Sequence, residues 1–143
     1  MKRFFFEVAG SPVSQPRQRH RVIVANGKAF ATNYTPAKDP VNTWKAYVRE
    51  AAKAKRVEVL RGPVIVEISF YLPRPAALMR KKDPDGLIPH AGAKDLDNLY
   101  KAVTDALIGI AYQDDKQIHE CHVNKWYHEK DGAPRAVITL MGE

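Results

Sequence analysis

Val64, Val66, Ile68, Phe70 and Leu72 alternate with Ile65, Glu67, Ser69 and Tyr71. A run at period two, rich in β-branched and aromatic side chains, commits this stretch to a strand with one face in a core. No other part of the chain carries so clean a period, so the strand is expected near the centre of a sheet. Gly62-Pro63 leads into it and Pro73-Arg74-Pro75 stops it.

The rest of the chain has to be built around that strand. With 143 residues, 45% of them hydrophobic, the chain is expected to form one domain over residues 1–143 with a modest core. No apolar run approaches the roughly 18 residues that would span a bilayer, so no membrane partner is expected. Phe4, Phe6 and Val8 alternate with Arg3, Phe5 and Glu7, which predicts a first strand ended by Gly10-Ser11-Pro12. Glu7 arrives too early for this opening to act as a signal peptide. The single cysteine, Cys121, excludes an intramolecular disulfide and fits a reducing compartment.

Asn26-Gly27 lies between Arg21–Ala25 and Lys28–Thr32. Both turn residues tolerate positive φ, so a tight hairpin is predicted, entered through the basic run Arg17, Arg19 and Arg21. Thr35-Pro36 reads as a helix cap followed by a proline at the first helical position, with Pro40 delaying the regular helix. Val41, Trp44, Val48 and Ala51 recur at helical spacing, and Lys45, Arg49, Lys53 and Arg56 form a stripe expected on the solvent side. A second helix is predicted from Asp95 to Ile108, stopped by Gly109. Its expected buried stripe runs through Leu96, Leu99, Tyr100, Val103, Ala106, Leu107 and Ile110, with Asp97, Lys101, Thr104, Asp105 and Ile108 on another face. Ile118 to His128 reads as a polar strand that Asp131-Gly132 turns back into a last strand, Ala136–Met141. The expected class is α/β of an α+β-like kind. It combines a small mixed β-sheet, two main helices and a basic amino-terminal hairpin.

Residues 74–93 hold Arg80-Lys81-Lys82, Asp83-Pro84-Asp85-Gly86 and Pro89 without sustained periodicity. A structureless stretch of that length in a compact domain is functional or disordered, and this one reads as a mobile basic flap.

Charge is unevenly distributed. Residues 1–94 carry eighteen Lys/Arg against seven Asp/Glu, whereas residues 95–143 carry five against nine. A basic frame around an acidic pocket suits an enzyme that attracts phosphates and holds cations against them. A uniformly basic binding module has no need of the pocket. The candidate phosphate contacts are Arg17, Arg19 and Arg21 on the hairpin, Lys45, Arg49 and Lys53 on the first helix, and Arg80, Lys81, Lys82 and Lys94 beyond it.

The acidic pocket centres on Lys94-Asp95-Leu96-Asp97-Asn98-Leu99-Tyr100-Lys101, with Asp114-Asp115 after the helix. An isolated Asp-x-Asp at a helix start is explained by capping, and Asp97 with Lys101 could form an i,i+4 ion pair. Capping does not account for the added amide and lysine, or for the returning carboxylate pair. Clustered carboxylates suit a hard cation such as magnesium, which takes oxygen ligands and keeps several waters. Such ions neutralise charge on a phosphodiester, and a nearby lysine can do the same.

Asp95-Leu96-Asp97-Asn98-Leu99, Lys101, Asp105-Ala106-Leu107 and Asp114-Asp115 together resemble the signature of the RusA family of Holliday-junction resolvases. The resemblance is dense over residues 94–118 and looser elsewhere. It implies a small homodimeric, Mg²⁺-dependent endodeoxyribonuclease of the bacterial cytoplasm, often phage or prophage encoded, with Mn²⁺ able to substitute. Its expected substrate is branched DNA such as four-way junctions, cut by paired hydrolysis during recombination and repair. Carried over, the metal ligands and catalytic carboxylates are Asp95, Asp97 and Asp115, with Asp114 as an alternative third ligand, and the catalytic lysine is Lys101. Asp105 matches a recurrent family position and reads as support for the site. The lead His90-Ala91-Gly92-Ala93-Lys94 is less basic than the arginine-rich lead of the best-known members.

Two other readings remain open. In one, the chain is a non-catalytic, structure-selective DNA-binding module whose carboxylates only cap and pair. In the other, Asp-x-Asp serves phosphotransfer or sugar transfer, for which no Gly-rich phosphate loop is present. His119, Cys121, His122 and His128 do not make a zinc site, because strand alternation divides them between two faces. Trp44 is expected in the core, and Trp126 and Tyr127 could stack on bases or lie in a dimer interface.

Overall fold

The computed structural model describes residues 1–16 and 19–143. Among these described residues, seven strands and two helices follow in the order β1 (Lys2–Ala9), β2 (Arg19–Ala25), β3 (Lys28–Tyr34), α1 (Pro40–Ala54), β4 (Val64–Leu72), β5 (Ile88–Pro89), α2 (Leu96–Ala106), β6 (Ile118–Tyr127) and β7 (Arg135–Gly142). The architecture is mixed α+β. A five-stranded sheet runs in the order β1-β7-β4-β6-β5, and β2 with β3 forms a separate two-stranded ribbon.

β4 is central, as its period requires. Val64, Val66, Ile68, Phe70 and Leu72 are all buried, and they share one core with Trp44, Val48 and Ala52 of α1 and with Leu99, Val103 and Ala106 of α2. The opposite face of β4 is half-buried, with Glu67 exposed. No helix among the described residues is long and apolar enough to cross a membrane.

The last two strands do not form the hairpin that Asp131-Gly132 suggests. β7 pairs antiparallel with one edge of β4 and β6 pairs parallel with the other. The most apolar strand takes the middle, and both of its edges need partners. A parallel neighbour demands a long crossover, and α2 lies in that connection.

The β4–β6 ladder contains one irregularity that matters for the site. Val64 is opposite Ile118, but Ile65 is opposite Glu120, so β6 carries an extra residue at His119. Such a bulge re-aims side chains. Ile118 packs against the core, and beyond the bulge Cys121, Val123 and Lys125 are the residues opposite Val66, Ile68 and Phe70.

The first helix begins later than Thr35-Pro36 predicts. Asp39 is the cap, its Oδ1 accepting from Val41 N at 2.9 Å, and Pro40 is the first helical residue. Both prolines suit that position, and Asp39 supplies the better-placed acceptor. The fourth core residue is Ala52 in place of Ala51. The basic stripe is also divided. Lys53 is exposed, but Lys45 and Arg49 are half-buried against α2, with Arg49 Nε donating to Ala106 O at 3.2 Å. A guanidinium there satisfies a carbonyl left free at the end of α2. On α2 itself Thr104, expected on the polar face, is buried, and its hydroxyl donates to Lys101 O at 3.3 Å.

Residues 74–93 are more ordered in local structure than a structureless flap. Ala76–Leu78 forms a 3₁₀ turn and β5 pairs with the end of β6. Arg74 is buried and organises the segment. Its Nε donates to Leu78 O at 2.8 Å, its Nη1 to Gly86 O at 2.9 Å and His128 O at 3.3 Å, and its Nη2 to Pro84 O. Aperiodic sequence hides this order because one side chain, not a repeating backbone pattern, supplies it.

Candidate active site

Asp95 is the cap of α2. Its backbone is extended (φ −68°, ψ 135°) and its carbonyl accepts from Leu99 N at 3.0 Å, but its carboxylate makes no capping hydrogen bond. Asp97 is exposed in the first turn, where one carboxylate oxygen accepts from Asn98 N at 3.0 Å. Capping therefore leaves the Asp95 carboxylate and the second oxygen of Asp97 without partners among the described residues. Both residues line an open groove of about 580 Å³, walled by Leu96 and Tyr100 of α2 and by Cys121, Val123 and Lys125 of β6.

Lys101 does not pair with Asp97, the alternative that the i,i+4 spacing offers. Its Nζ donates to Asp105 Oδ1 at 3.0 Å and to Asp115 Oδ2 at 3.4 Å. These partners, the Asp105 hydrogen bond first, hold its pKa above the ordinary lysine value. Asp105 also faces Lys45, whose Nζ lies 3.9 Å from Oδ2. Burial pulls the Lys45 pKa down, opposed by the charge of Asp105. Lys45, Asp105, Lys101 and Asp115 thus form a relay of alternating charge from α1 to the connection after α2.

The two residues of Asp114-Asp115 have different surroundings. Asp114 closes a turn on itself, with Oδ1 accepting from Lys116 N at 2.9 Å and Gln117 Oε1 accepting from Asp114 N at 3.1 Å. Gln117 also donates to Leu60 O and Gly62 O, tying the turn to the body. Asp115 is directed to Lys101. Tyr100 links this side to the groove. Burial, with the neighbouring Cys121 thiol and the Asp115 charge, pushes its pKa up to about 12.

The donor set consists of hard oxygens, which fits Mg²⁺ or Mn²⁺. Among the described residues, no three histidine, cysteine or carboxylate side chains converge tightly enough to hold an ion by themselves. Asp95 and Asp97 share the groove, while Asp115 is held beside it by Lys101. That arrangement matches a cation that keeps several waters and takes one or two carboxylates.

The expected phosphate contacts fall into two groups. Arg21 is exposed on the ribbon with its guanidinium 5.1 Å from the Tyr34 ring centre, and Lys53, Arg80, Lys81 and Lys82 are exposed, Arg80 being paired with Asp83. Lys45, Arg49 and Lys94 are half-buried. Lys94 Nζ donates to Pro12 O at 2.8 Å, and burial lowers its pKa. Arg17 lies outside the described residues, and of Arg19 only the backbone is described.

Sequence reasoning does not place Tyr100 or Lys125 at the groove. The helical period puts Tyr100 in the buried stripe of α2, and Lys125 sits in a strand whose polar pattern offers no period to read. Tyr127, left between base stacking and a dimer interface, packs on His90 with ring centres 4.5 Å apart. Trp126 donates from Nε1 to Asn124 at 2.7 Å.

The family model for the endodeoxyribonuclease RusA matches residues 9–141. The uncharacterized protein YqaN of Bacillus subtilis (strain 168) is 34% identical over 141 residues, covering 94% of this chain and 93% of that protein.

Proposed function

The chain belongs to the RusA endodeoxyribonuclease family, and on that premise we propose that it is a homodimeric, divalent-metal-dependent endonuclease that resolves Holliday junctions or related branched DNA by paired hydrolysis. The observation that carries this reading is the pair of carboxylates at the start of α2, aimed into a groove and left unused by capping. Asp95 and Asp97 are the residues to hold Mg²⁺ or Mn²⁺. Asp115 is the third candidate, favoured over Asp114, whose carboxylate is spent on its own turn. When bound, the ion supplies Lewis acidity and neutralises charge on a phosphodiester.

The chain's own groups do the rest. Lys101, kept cationic by two carboxylates, places a positive charge beside the groove where negative charge grows during hydrolysis. The exposed cations Arg21, Lys53, Arg80, Lys81 and Lys82 hold the phosphate backbone, joined by Arg17 and Arg19. Lys45, Arg49 and Lys94 serve the framework. A two-fold dimer presents two equivalent grooves to two equivalent strands of a junction.

The test is cleavage of a synthetic four-way junction with and without Mg²⁺ or Mn²⁺, beside linear duplex and single strands. Paired metal-dependent nicks at the junction are expected, and Asp97→Asn is expected to abolish them while retaining junction binding. Salt-sensitive binding without any nicking would favour the non-catalytic module.

A further inference from the structure

Lys125 lies on β6 across the groove from Asp95 and Asp97. Its Nζ donates to Lys94 O at 2.5 Å and to Gly92 O at 3.4 Å, and its own carbonyl accepts from His90 N at 3.3 Å. One residue therefore holds the segment leading into α2 at three points. The Lys94 carbonyl shares a planar peptide unit with the Asp95 nitrogen, so fixing that oxygen fixes the plane from which Asp95 departs. The Asp95 carboxylate has no capping bond to orient it. The segment's other polar ties are the Lys94 ammonium on Pro12 O and the His90 ring, whose Nδ1 accepts from Gly92 N at 3.2 Å.

From this geometry we infer that Lys125 is a positioning residue for the carboxylates of the groove, through the Gly92–Lys94 backbone and through its charge. This role rests on the nuclease reading above. An ammonium has three N–H groups, and two carbonyls leave its charge uncancelled. That charge offsets the mutual repulsion of Asp95 and Asp97 and favours an arrangement ready for a cation. The bulge at His119 makes the role available, because it is what sets Lys125 on the groove side of the sheet.

The experiment compares the full-length chain with Lys125→Met and Lys125→Arg, reading Mn²⁺ binding by electron paramagnetic resonance and junction cleavage against Mg²⁺ concentration. The methionine variant is expected to bind Mn²⁺ roughly 10-fold or more weakly, as partners that orient metal ligands typically cost when removed. The Mg²⁺ concentration for half-maximal cleavage should rise by a similar factor, and junction binding without metal should stay at the wild-type level. Arginine keeps the charge but not the compact ammonium, so an intermediate loss is expected. If the methionine variant does not fold, Lys125→Gln is read in its place with the same expectation. A wild-type chain that cuts junctions and binds Mn²⁺, with a folded variant that matches it in both, overturns the role of Lys125 alone. A wild-type chain that neither cuts nor binds Mn²⁺ overturns the nuclease reading and this role with it.

Discussion

Lys101 Nζ and Asp115 Oδ2, fourteen residues apart in the chain, meet at 3.4 Å, and Asp105 holds the same nitrogen at 3.0 Å. The lysine is thereby fixed next to a candidate metal ligand and kept protonated. Lys101→Met is expected to lower junction cleavage by about 10²-fold or more, with binding retained, because in the proposed function it removes a charge that acts on the transition state. Single-turnover cleavage and a gel-shift assay separate the two effects.

The same contact has a pH signature in stability. The folded-state pKa of Lys101 is raised, chiefly by its Asp105 hydrogen bond. Its contribution is therefore complete below the unfolded lysine value and is lost as pH rises through the folded one. The side chain is half exposed, so the effect is small. Urea titrations of the wild type and Lys101→Met should differ slightly near neutral pH and converge in strongly alkaline solution.

Arg49 and Lys53 share one stripe in the sequence and separate in the fold. Arg49→Met should destabilise the protein by about 1–2 kcal/mol, since it strips a charged donor from the end of α2. The salt dependence of DNA binding should stay unchanged. Lys53→Ala should do the reverse, leaving the urea midpoint in place and reducing the slope of log K against log salt by about 1. A matching loss of slope for Arg49→Met would return that residue to the phosphate contacts.

Arg74 offers one guanidinium to four carbonyls of three different segments. Arg74→Met leaves those oxygens unpaired around an apolar chain, a change that should cost about 3 kcal/mol or more. Denaturant titration measures the total. Hydrogen exchange should show the loss of protection concentrated in residues 74–93 and at β5.

The ribbon of β2 and β3 packs chiefly on itself, and Val22 and Val24 are 70% and 71% exposed. Replacing residues 19–34 with a short Gly/Ser linker should therefore barely move the thermal midpoint of the body. Junction affinity should fall, with a shallower salt slope, in a fluorescence anisotropy titration.

Where local chemistry decides structure, the sequence was legible. The alternation through β4, the Asn26-Gly27 turn with φ of 52° and 73°, and the carboxylates opening α2 all stand where period, turn chemistry and capping put them. What could not be read depends on crossings between distant elements. Whether Lys45 and Arg49 face solvent is decided by where α2 lies. The order of β6 and β7 follows from competition for the two edges of β4. Arg74 and Lys125 act on carbonyls, and carbonyls have no sequence. Asp114 and Asp115 look alike in sequence, and only the turn closed by Gln117 separates them, engaging Asp114 with Lys116 N and leaving Asp115 to Lys101.

The extra residue at His119 means that the facing of β6 depends on one bulge. Upstream of it, Ile118 keeps its place against the core, and downstream every side chain of β6 is turned over relative to an unbroken ladder. Running the ladder on from Ile118 without the bulge, so that His119 stood opposite Ile65, would carry Glu120, His122 and Asn124 to the inner side and Cys121, Val123 and Lys125 to the outer one, whereas deleting His119 would close the bulge and leave each of them on its present face. A chain of unchanged sequence whose β6 slipped by that one residue would have lost one wall of the groove. For this stretch of the protein, the letters face the right way only in the register that the bulge sets.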